Sequence, residues 1–94
     1  MSDGRDGDPS EVPHDVRASL TQLFDEARAA ANTGDDATAT ALLEAADTVA
    51  ANKLPPGERR TVIRRGCEAA TDALPNGDLA AAYVAAAAAR VPET

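Results

Sequence analysis

The stretch ERRTVIRRGC, residues 58–67, carries four of the chain's nine basic residues, Arg59, Arg60, Arg64 and Arg65, next to its single cysteine, Cys67. Guanidinium groups at this density suit bidentate recognition of carboxylate or phosphate. Their placement is locally unfavourable. Arg60 and Arg64 are like charges four residues apart. All four lie near the expected start of a helix, where the macrodipole favours anions. Acidic groups are therefore expected nearby. Glu68 is within reach of Arg64 and Arg65, and Asp25, Glu26, Asp35, Asp36, Glu44 and Asp47 are available on other segments. Two readings follow. The arginines pair internally, or Arg59, Arg60, Arg64 and Arg65 contact an anionic partner: an acidic protein surface, a phosphate or nucleic acid.

Other chemistry is sparse. Cys67 falls at the edge of an apolar helical stripe, where a thiol is buried and inert unless partial exposure lets arginine lower its pKa. His14 is the one histidine and belongs on the polar side of a first helical turn. No His/Cys cluster, nucleophile–base pair or glycine-rich phosphate loop is present, so no metal, no cofactor and no enzymatic activity are expected. Nucleic acid is disfavoured by a net charge of −7 and by an aromatic content too low for a stacking platform.

These groups must be positioned by a small domain. The 94 residues suffice for one unit whose core is thin, because much of the apolar content is alanine. Aspartate outnumbers glutamate ten to six and arginine outnumbers lysine eight to one. This texture suits a salt-rich cytoplasm. At molar salt the Debye length is about 3 Å, so acidic surface charges barely repel. No apolar run is long enough for a membrane span, and the first ten residues lack the apolar core of a signal peptide, so a soluble, cytoplasmic chain is expected. Residues 1–10 are polar, acidic and glycine-containing and are expected to form a disordered tail; residues 11–94 are expected to form a single helical domain.

Helical periodicity predicts four helices, over 11–32, 36–52, 57–74 and 78–90. In the first, Val16, Leu20, Leu23, Phe24, Ala27, Ala30 and Ala31 share a face, with Pro13 in the first turn and Ser10 as cap. Thr33-Gly34 ends it, with glycine supplying a left-handed residue. The second presents Ala39, Leu42, Leu43, Ala46, Val49 and Ala50, and stops at Leu54-Pro55-Pro56-Gly57. The third buries Val62, Ile63, Gly66, Ala69 and Ala70. Pro75-Asn76-Gly77 is the next turn. The fourth is apolar nearly all round, so its packing face is poorly specified. Short connections favour antiparallel neighbours, so the fold class is all-α: two helical hairpins or a small four-helix bundle.

Around Gly34-Asp35, the residues Leu23, Ala27, Ala30, Ala39, Leu43 and Ala46 fall at the spacing of a tetratricopeptide-type hairpin. Ala70, Ala73, Gly77, Ala82, Ala86 and Ala89 match in part, and the chain weakly resembles a pair of such hairpins. The two glycines lie 43 residues apart, a wider interval than that repeat's. More broadly, through KLPPGERR and RRGCEAA, the chain resembles the small uncharacterised acidic helical domain families of haloarchaea. That resemblance implies a helical fold and no assigned activity. The sequence thus points to a salt-adapted protein–protein interaction module. A DNA-associated regulator using the third helix is the alternative, as is a homodimer or larger homo-oligomer formed through the fourth.

Overall fold

The computed structural model describes residues 13–91. The expected tail and the Ser10 cap lie outside them. Four helices follow in order: α1 (His14–Asn32), α2 (Asp36–Lys53), α3 (Glu58–Ala73) and α4 (Gly77–Ala88). Among the described residues there is no strand, and no helix is long and apolar enough to cross a membrane.

The helix ends differ from expectation where proline intervenes. Pro13 takes φ −57°, ψ 147° and serves as the N-cap of α1 instead of joining its first turn. Its carbonyl accepts from the amides of Val16 and Arg17, both at 3.1 Å, so the helix opens at His14. At the end of α3, Leu74 is extended, as a residue before proline prefers, and the Leu74–Pro75 peptide is cis.

The two hairpin corners are built differently. After α1, Gly34 adopts φ +82°. Its amide donates to the Ala31 carbonyl at 3.2 Å, and that of Asp35 donates to Ala30 at 2.9 Å. This is a Schellman closure, which needs a left-handed residue that glycine adopts at little cost. Asp35 at once caps α2, its side chain accepting from the Thr38 amide at 3.2 Å. In the second corner the cap is Asn76, which accepts from the Leu79 amide at 3.1 Å. Gly77 is the first residue of α4, so Gly34-Asp35 and Gly77-Asp78 do not occupy equivalent places.

Each helix packs on two neighbours. α1 lies against α2 and α4, and α3 lies against α2 and α4. The ring closes as a small four-helix bundle. Its main core joins Leu20, Phe24, Leu43, Ile63 and Val84, and a second, alanine-built cluster of Ala30, Ala31, Ala39, Ala80 and Ala81 fills the end beside the α1–α2 corner.

Two contacts are close enough to require glycine. A Cβ at Gly66 would stand 2.7 Å from that of Ala87, so α3 and α4 touch nearly backbone to backbone. A Cβ at Gly77 would overlap the Ala31 carbonyl, which fixes the start of α4 against the end of α1. Gly66→Ala therefore destabilises by about 1–3 kcal/mol through overpacking, although alanine improves helix propensity by about 1 kcal/mol. Ala87→Gly in the same chain should recover part of the loss. Thermal melts of the two single variants and the double test this; a Gly66→Ala chain as stable as the parent would refute the close packing.

Candidate functional site

The arginine-bearing turns of α3 run antiparallel to the second half of α2, and this register decides what each side chain meets. Arg64 reaches Asp47 with both edges of its fork: Nε donates to Oδ1 at 2.9 Å and Nη2 to Oδ2 at 3.5 Å. The pair is exposed, 48% and 37% accessible at the two side chains. The Asp47 carboxylate, by hydrogen bond and charge, holds the Arg64 guanidinium above its ordinary pKa. One turn earlier, Arg60 is half-buried and its Nη1 donates to the Ala51 carbonyl at 3.5 Å. Ala51 lies in the last turn of α2, where carbonyls lack helical partners and the dipole attracts cations.

Arg59 and Arg65 are both exposed. The Arg65 side chain makes no hydrogen bond or ion pair among the described residues, and Glu68 forms no ion pair with Arg64 or Arg65 there. Of the other acidic residues weighed from the sequence, Glu44 joins Asp47 beside α3. Asp25 and Glu26 are exposed on α1, whose main packing partners are α2 and α4, and Asp35 and Asp36 sit at the opposite end of the bundle.

Together these side chains border a groove of about 410 Å³ between α2 and α3. Arg60, Arg64 and Arg65 line it, as do the carboxylates Glu44, Asp47, Glu68 and Asp72. Its lining is thus mixed in charge, and it offers directional hydrogen bonds more than a uniform field. Arg59 lies outside it, against the Leu54–Gly57 connection.

A family described as a domain of unknown function (DUF8101) matches residues 6–93. The chain belongs to this family. No curated protein and no solved structure matches the chain. The family description carries no activity, so the chemistry of this DUF8101 domain is read from its own residues.

Cys67 lies in the floor of the groove, 2% exposed and packed in the main core. Sequence spacing places it at the edge of the apolar stripe; in the bundle it stands with Ile63 and Ala70 as the fully buried line of α3, while Val62, Gly66 and Ala69 are only half-buried. The reason is that α3 has two neighbours and turns the 63–67–70 line between them. Burial, aided by the Asp47 carboxylate, pushes the Cys67 thiol up to about 12 from 9.0, with Arg64 opposing. His14 is exposed, its Nδ1 3.2 Å from Nη2 of Arg17. Among the described residues no three His, Cys, Asp or Glu side chains gather as a metal site.

The thiol yields a prediction with a definite sign. Thiolate formation favours the unfolded chain, so the stability that a protonated Cys67 contributes is complete below pH 9.0 and is lost as pH rises toward about 12. A disulfide exchange reagent at neutral pH should leave folded Cys67 unmodified and label it in denaturant; prompt labelling of the folded chain would show the floor of the groove to be open.

Proposed function

We propose that this domain is a salt-adapted cytoplasmic protein–protein interaction module, and that the α2–α3 groove is its docking surface. Arg60, Arg64 and Arg65 line the groove and Arg59 supports them from its margin. The observation that carries the reading is Arg65: it is exposed on the groove rim and pairs with no described residue, beside two arginines that α2 already orients. A guanidinium so placed can take a partner's carboxylate through two parallel hydrogen bonds. The reading assigns the domain no catalytic step.

A DNA-associated role has less support, because four carboxylates line the same groove and would face each phosphate. Self-association has support of its own in the exposed apolar side chains of α4.

In affinity purification at native salt, the parent should retain a stoichiometric partner that Arg60→Gln, Arg64→Gln, Arg65→Gln together release, with helicity unchanged. Collapse of helicity would make the arginines structural, and a strong 260 nm absorbance would indicate nucleic acid instead. Salt adaptation is checked separately. The melting temperature should rise from dilute buffer to molar potassium chloride as charge repulsion is screened, and an unchanged melting temperature would remove that part of the proposal.

A further inference from the structure

Among the described residues, Leu79 and Tyr83 are the large apolar side chains left exposed, 45% and 39% accessible. They lie four residues apart on α4 and share a face. Ala82, Ala86 and Ala89 on that face are exposed as well, while Ala80, Ala81, Val84 and Ala87 on the other face are buried. Charge appears only at the two ends of the exposed face. Asp78 stands in the first turn of α4 and Arg90 just after its last, both exposed. α3, antiparallel beside it, repeats that polarity. Its start carries Arg59 and Arg60 with one carboxylate, Glu58, and its end carries Asp72.

We propose that this face of α4 is a homodimer interface, in which two copies of α4 cross antiparallel about a two-fold axis beside Tyr83 and Ala86. Asp78 and Arg90 are separated by twelve residues, about 18 Å of helix. The midpoint of that interval falls at residue 84, between Tyr83 and Ala86 on the exposed side. Antiparallel pairing about this point sets Asp78 of each copy beside Arg90 of the other. It also lays each Tyr83 over Ala82 and Ala86 of the second copy, and each Leu79 over Ala89.

Every contact then occurs twice, as an isologous interface requires. The parallel alternative would oppose Asp78 to Asp78 and Arg90 to Arg90, so charge complementarity selects the antiparallel one. Alanine loses no side-chain entropy on burial and lets the helices come close, and tyrosine supplies a rigid anchor at the centre. The two helix dipoles also oppose favourably in this arrangement.

The test is the mass of the full chain in solution, by sedimentation equilibrium over a concentration series at moderate salt. The parent should show twice the monomer mass. Tyr83→Glu and, separately, Ala86→Glu should each raise Kd more than about tenfold with far-ultraviolet circular dichroism unchanged. Arg90→Glu should weaken the dimer about three- to tenfold, and adding Asp78→Arg to it should restore the dimer. Arg65→Gln should leave the mass unaltered, which separates this interface from the α2–α3 groove. A monomer at every concentration, or a dimer indifferent to both glutamate variants, overturns the proposal. Failure of the charge exchange to restore association in a chain of unchanged helicity overturns the antiparallel register.

Discussion

Closeness between helices is the constraint on which this bundle depends. Among the described residues, ten of the nineteen buried hydrophobics are alanine, so a large part of the core is built from single methyl groups. A methyl removes little area from water and makes few dispersion contacts unless its neighbours come near. The helices therefore meet almost backbone to backbone, as at Gly66 against Ala87 and Gly77 against the Ala31 carbonyl. Phe24, Leu20, Leu43, Ile63 and Val84 fill the interior that these contacts leave. Packing at such distances tolerates little change in volume, so the glycines matter more here than their number suggests.

The same closeness settles the arginines. On α3 alone they are misplaced, crowding a helix start with like charge. Antiparallel packing sets that start against the last turns of α2, which carry the opposite end of a dipole, an orphan carbonyl at Ala51 and a carboxylate at Asp47. A local conflict is thus relieved by a tertiary neighbour, as agreement across levels of structure requires. Since the Arg64–Asp47 pair is exposed, it orients the side chain more than it strengthens the fold.

The helices and the first corner were legible from the sequence because period and cap chemistry agree there. The apolar stripes of α1 and α2 are long and include Leu20, Phe24 and Leu43, while Gly34 supplies the left-handed residue that ends α1 and Asp35 caps α2. Legibility fell at α3 and α4 for two physical reasons. The first is that a helix with two neighbours buries a line between two flanks, so the stripe through Val62, Ile63 and Gly66 put Cys67 at its edge instead of its centre, although burial of the thiol was expected. The second is that α4 is apolar on every side, so periodicity cannot say which face turns inward. Three of the four clustered arginines border the groove, which the sequence did not foretell, and Asp47 was one of several candidate partners. The Ala51 carbonyl was not, because a backbone acceptor leaves no mark in a sequence; the signal was the short α2–α3 connection, which brings the third residue of α3 beside the last turn of α2.

The orientation of α4 then has a reason that reaches the surface. Burial preference alone would turn Leu79 and Tyr83 inward and leave alanine outside. The bundle does the reverse, burying Ala80, Ala81 and Ala87 around Val84. A leucine or tyrosine on the inward side would hold α4 away from Gly66 and from the end of α1, and the contacts of that whole corner would be lost. Leu79 and Tyr83 are thus outside because the interior has no room for them at this helix separation. That explains their position but not their chemistry, since a polar residue at either place would satisfy the same geometry with less apolar surface in water. Large apolar groups kept on an alanine face that carries opposite charges at its two ends are what a surface shaped for its own copy would present.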